Sequence, residues 1–207
     1  MAAVLILLIA LLVPASLAGA TASDVLLTPE GTVFTVEAQR GEMRFGSPLV
    51  LSVHEGEETV SYTVPGTEDG AFHDNAALAY DAESDTLFLI WLRMPSVTFS
   101  EILFASFHDG EFTEPSSIEA AVFHLRYNLK VAVTHWINEE QEDGTYVRKR
   151  GLNVHAVWWD QTGAGELGRH AMISIRDGEV EAIQTADLLN YTDARRSLEP
   201  FPLPEDY

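Results

Sequence analysis

Ser106-Phe107-His108-Asp109-Gly110-Glu111-Phe112-Thr113 reads as two extended segments joined by a tight turn. On either side of Asp109-Gly110 the residues are aromatic, apolar or alternate with polar ones, as a half-buried strand requires. An acidic residue before Gly supplies the positive φ of a short hairpin at little steric cost. The same tag stands at His54-Glu55-Gly56-Glu57 and at Arg176-Asp177-Gly178-Glu179. Three copies imply a repeated β-unit.

The first two tags are 54 residues apart, and sliding the chain by that offset aligns 32–61 with 86–115 without a gap. Nine of the thirty positions are identical, among them Phe34/Phe88, Phe45/Phe99, Leu49/Leu103, His54/His108 and Gly56/Gly110. The third tag comes 68 residues after the second, so its unit carries an insertion. The polar stretch 141–150 is the expected place. Each unit reads as four strands: 25–28, 32–38, 48–54 and 59–64; then 76–81, 86–93, 101–108 and 112–118; then 129–137, 152–160, 170–176 and 180–183. Phe72-His73 and Phe123-His124 stand before the leading strands of units two and three, so the entering connection also recurs. Helical periodicity is confined to a short stretch at 186–196.

The chain has 207 residues, 32 acidic and 12 basic, for a net charge of −20. Such a surface repels nucleic acid and anionic lipid, which excludes both as partners, and it favours solubility. The apolar run 5–13, then Pro14 and small residues through Ala18-Gly19-Ala20 and Ala20-Thr21-Ala22, has the pattern of a secretory signal peptide. An uncleaved anchor is the alternative. The expected organisation is a signal peptide at 1–22, one β-domain at 23–185 and a proline-bearing tail at 186–207. The expected location is secreted or periplasmic, with no membrane contact after cleavage. There is no cysteine, so the fold has no disulfide.

Four-stranded units with a period near 50 fit β-propeller blades. His73-Asp74-Asn75-Ala76-Ala77-Leu78-Ala79-Tyr80-Asp81, Trp91 in the next strand and Ser106 through Pro115 resemble the sialidase-like (BNR-repeat) propellers. The likeness spans about residues 30–185. The acid here directly precedes the Gly and no Trp closes the hairpin, so the family's Asp-box is degenerate. The fold expected is all-β, a partial propeller of about three four-stranded antiparallel blades, with a β-sandwich as the alternative. Three blades fall short of the four that a closed propeller needs, which points to a longer ring or to completion by a homo-oligomer.

Propeller sites lie where the inner strands begin. The candidate ligand-binding residues are therefore His73, Asp74, Asn75, Arg93, Arg126, Tyr127 and Asn128. Asn and Asp suit hydroxyls, Arg a carboxylate and Tyr stacking, so the partner expected is a glycan or an extracellular protein. A turn role satisfying local backbone groups is the alternative for Asn75 and Asn128. The resemblance implies for a catalyst an arginine cluster, a Tyr–Glu pair and an Asp acid, with Asp74 and Tyr127 as possible members. No spacing selects the set, so catalytic residues stay unassigned, and a glycoside hydrolase is the second reading. Trp91 and Trp158 are expected in the core, Trp136 and Trp159 as possible sugar platforms. No metal site or cofactor is assigned. The acidic clusters 55–58 and 139–143 could hold Ca²⁺, but they lack a calcium-loop spacing and read as solvated faces.

Overall fold

The computed structural model describes residues 22–38, 48–141, 144–163 and 165–188. The expected leader except Ala22 and the tail beyond Leu188 lie outside these residues. The described chain is all-β, with thirteen antiparallel strands in three sheets. Sheet A holds β1 (Ala22–Leu27), β2 (Val33–Ala38), β3 (Leu49–Glu55) and β4 (Glu58–Thr63) in chain order. Sheet B holds β5 (Phe72–Asp81), β6 (Thr86–Ser96), β7 (Phe99–His108) and β8 (Glu111–Phe112), with β9 (Ser116–Val122) also on β7. Sheet C holds β10 (Leu125–Glu140), β11 (Tyr146–Thr162), β12 (Gly165–Arg176) and β13 (Glu179–Leu188). None of the three closes on itself. The sheets follow the three sequence units almost strand for strand.

The tags are the hairpins β3–β4, β7–β8 and β12–β13. Asp109 and Gly110 take φ of 50° and 81°, and Asp177 and Gly178 take 53° and 82°. Both turn residues lie in the left-handed region, as the right-handed twist of a two-residue hairpin demands. The first tag turns one residue later. Glu55 pairs with Glu58, so the loop is Gly56-Glu57, with Gly56 at φ 61°.

Sheet B is the middle layer. On one side Leu87, Leu89 and Trp91 of β6 pack on Phe34, Val36 and Leu51 of sheet A. On the other Phe88, Ile90 and Leu92 pack on Val154, Ala156 and Trp158 of sheet C. Because β6 is covered on both faces, it reads as an unbroken apolar run instead of an alternating one. Trp91 and Trp158 are both buried, each on the side of the preceding sheet. Between sheets A and B, Asp24 Oδ2 accepts the amide of Leu78, 2.8 Å away on the β5 edge that no described strand pairs with.

Four expectations change. The strand read at 112–118 is broken at 113–115 into β8 and β9, because Pro115 brings no amide to a ladder. The insertion at 141–150 is half ladder: Tyr146–Arg150 pair with 136–140 and lengthen the β10–β11 hairpin. Residues 186–188 are not helical. They close β13, with Asp187 opposite Arg169 and ion-paired to it. Phe72-His73 lies inside β5, whereas Phe123 precedes β10 with φ 60°, so the two Phe-His steps are not equivalent.

Candidate functional site

The true equivalence at the strand entries runs through the asparagines. Asp74 pairs with Leu92 and Ala77 with Ile90, so Asn75 and Ala76 together face Trp91. Tyr127 pairs with Trp159 and Lys130 with Val157, so Asn128 and Leu129 face Trp158. Both sites are β-bulges, two residues opposite one, and both asparagines are left-handed, at φ 50° and 58°. Asn tolerates that conformation better than most residues. The repeated Asn-to-Trp spacing is therefore a repeated bulge. Replacing Asn75 by Gly should leave stability within about 0.5 kcal/mol, and Asn75→Val should cost about 1–2 kcal/mol, because only the first accepts positive φ. Urea denaturation measures both; equal losses would refute the bulge role.

Counting back two residues from each bulge reaches His73 and Arg126, 1% and 2% exposed. His73 Nε2 stands 2.9 Å from Asp69 Oδ1 and donates to it, since a carboxylate only accepts. Burial lowers the His73 pKa against the pull of Asp69. Arg93, opposite His73, donates from Nε to Asp69 at 2.6 Å and from Nη1 to Glu101 at 3.1 Å. Partial burial alone would raise Asp69. The Ala71 amide, His73 and Arg93 outweigh it and bring the carboxyl down to about 2.

Arg126 Nη1 donates to the Glu119 carbonyl at 2.9 Å and to that of Ser100 at 3.4 Å. Its Nη2 stands 3.5 Å from the Glu119 carboxylate and its Nε 3.7 Å from Asp160. His124 holds Asp160 at 2.9 Å, and Arg169 holds Glu119 at 2.7 Å. Tyr127 donates to Glu166 at 2.5 Å. Asp74 is half-buried and Asn128 is exposed. Asn75, Arg126 and Tyr127 share one crevice between sheets B and C with Leu92, Ile102, Leu129 and Trp158. Its volume is about 10 Å³, room for a single water and not for a sugar ring.

A larger cavity lies at the other end of β5. Asp81, Glu83 and Ser84 of the β5–β6 turn face His135, Arg150, Gly151 and Leu152 of the β10–β11 hairpin across about 260 Å³. His135 Nε2 is 2.8 Å from Asp81 and its Nδ1 is 2.9 Å from Glu83. Arg150 is also bonded to Glu83. Burial works to raise Asp81, but Ser84, the Glu83 amide and His135 hold it below the usual carboxylate range. His135, then Arg150, draws Glu83 down. One residue beyond His135, Trp136 is 47% exposed, with the Arg148 guanidinium 4.8 Å from its ring centre. Trp159, the other expected platform, is half-buried. The strand reading could not bring Asp81 and His135 together, since they are 54 residues apart on different sheets.

Two further histidine groups lie away from both cavities. His155 Nδ1 is 3.1 Å from His170 Nε2, and the rings stack 5.3 Å apart. Burial, then the neighbouring His170, lowers His155 to about 4. Asp85, His108 and Asp109 each bring a ligand atom within 4.8 Å of the others, all exposed. His108 Nδ1 already donates to the Asp85 carbonyl at 2.8 Å. No protein-family model matches the chain, and no curated protein is significantly similar to it.

Proposed function

We propose that this chain is a secreted, non-catalytic binding module of β-propeller type whose ligand is a glycan held between the second and third blades. The observation that carries this reading is the 260 Å³ cavity of Asp81, Glu83, Ser84, His135 and Arg150, with exposed Trp136 beside it. Fixed carboxylates, a hydroxyl and a guanidinium match sugar hydroxyls. An indole face matches the apolar side of a pyranose. The volume suits one sugar unit and falls below that of a drug-sized pocket.

Three successive antiparallel sheets of four or five strands, packed face to face in chain order, support the propeller reading over a sandwich. The cavity's carboxyls support binding over hydrolysis. A glycosidase needs one carboxyl raised to act as an acid beside an ionised partner, and Asp81 and Glu83 are both lowered.

Calorimetric titration against a panel of mono- and oligosaccharides tests the reading. Saturable binding is expected for at least one, weakened at least tenfold in Trp136→Ala and Ser84→Ala, both at or near the surface. Binding that ignores both variants, or a panel with no binder, would overturn it. Turnover of any glycoside in the same panel would replace it with the hydrolase reading.

A further inference from the structure

The two outer sheets each have a face that no described strand covers, and the middle positions of those faces are poor in charge. On sheet A the alternate positions turned away from sheet B hold Val33, Thr35, Val50, Ser52, His54 and Ser61, with Glu37 as the charged member. Their hydroxyls are bonded among themselves: Thr35 to His54 at 3.2 Å, Ser52 to Ser61 at 2.9 Å. On sheet C the corresponding face holds Ala132, Thr134, His155, Val157, His170 and Met172, with Lys130 as the charged member of its middle and Arg176 opposite Glu179 at its hairpin end. Glu166, at the margin, is tied to Tyr127.

The chain carries 32 acids. Among the described residues, Glu37 is the one acid at the middle positions of the two faces; Glu166 and Glu179 stand at opposite ends of the sheet C face. A face meant for water would be expected to share in that charge. Depletion of charge with Trp, Met and β-branched residues retained is instead the composition of an interface core. Blade equivalence makes the same point. Where β6 shows Leu87, Leu89 and Trp91 to its neighbour sheet, β2 shows Val33, Thr35 and Glu37 at the same offsets. The sheet A face is less apolar than an internal contact and far less charged than a solvated one.

We propose that the free face of sheet A packs on the free face of sheet C of a second copy, and that two such contacts close a six-sheet ring. This rests on the propeller reading above. The contact is heterologous, one face meeting a different one, so two copies close by a twofold axis along the ring. Six blades lie inside the four-to-eight range of propellers; three copies would give nine, outside it. Glu37, the acid of the sheet A face, meets a face with Lys130 at its middle and the cross-strand pair Arg176 and Glu179 at its hairpin end. Four strands at ~4.8 Å and six residues at ~3.3 Å make a face of ~380 Å². Four faces bury on the order of 1,500 Å², within the range of stable interfaces.

Sedimentation and light scattering of the chain from residue 23 onward test this, with no glycan present, so the outcome is separate from that of the binding reading. Twice the chain mass is expected at micromolar concentration. Ser52→Arg on sheet A and Ala132→Glu on sheet C should each raise the dissociation constant at least tenfold. If Ala132→Glu does not fold, Lys130→Glu at an exposed position on the same face takes its place. A monomer throughout would overturn the proposal, and would mean that solvent or another segment covers these faces. A dimer that resists a folded variant of either face would also overturn it, because a heterologous contact uses both.

Discussion

Arg126→Ala is expected to lower the unfolding free energy by about 3–5 kcal/mol, the cost of breaking a buried ion pair from one side. The guanidinium is 2% exposed and lies between Asp160, 3% exposed, and the Glu119 carboxylate. Removing it leaves Asp160 buried with His124 as its remaining ion-pair partner, and leaves the Ser100 and Glu119 carbonyls short of a donor. Leaving such groups unpaired is the large term, not the loss of attraction. Arg93→Ala makes the comparison. That side chain is 26% exposed and pairs with Asp69 and Glu101 near solvent, so about 1 kcal/mol is expected. Urea denaturation followed by circular dichroism gives both values. Arg126→Met combined with Asp160→Leu should recover most of the loss, because it removes both charges together. An Arg126→Ala protein as stable as the parent would show that the guanidinium is not a structural charge. It would return Arg126 to the list of ligand contacts.

How far the sequence carried this structure can be judged at single residues. The Asp-Gly turns were legible because their chemistry is local: positive φ at Asp109-Gly110 and Asp177-Gly178 is written in the dipeptide. Strands β2, β3, β6 and β7 followed from the gapless 54-residue repeat, and Trp91 and Trp158 were correctly placed in the core. The entry loops were legible as a repeat but misaligned. The third unit has two more residues between its Phe-His step and its Asn, so matching Phe-His steps hid the equivalence of His73 with Arg126. Matching the asparagines would have found it. A bulge reverses which side of the sheet a residue takes, and no residue pattern before Asn128 announces one. The cavity of Asp81, His135 and Arg150 depends on the distance between two sheets. It also depends on the length of the β10–β11 hairpin, which read as a polar insertion and is partly ladder. Long-range pairing of that kind leaves no local mark.

Acid should weaken the fold in two separate steps, and His155 sets the first. Its imidazole faces His170 at 3.1 Å and Thr134 at 2.8 Å, with neither neighbour offering a negative charge. Burial, then His170, holds it at about 4 in the fold, against an ordinary value of 6.5. The unfolded chain therefore binds a proton in this window that the folded chain refuses. Stability must then fall as pH drops from about 6.5 to about 4, by on the order of 3 kcal/mol from this group. His73 and His170 are also lowered by burial and act with the same sign. The second step is carried by Asp69, at about 2 in the fold, and by Asp81, also lowered. Their contribution is complete above the ordinary aspartate value and is lost only below pH 4, as each carboxylate is protonated away from its partners. Loss of the −20 net charge on acidification relieves self-repulsion and works against the first step. A difference measurement removes that background. The stability of the parent minus that of His155→Gln, taken by urea denaturation at each pH, cancels every group the two share. The difference should fall between pH 6.5 and 4 and then level off below 4. A difference that stays flat across that range would mean that His155 takes up its proton as readily in the fold as in the unfolded chain, and the half-buried, neutral His155–His170 stack would have to be abandoned.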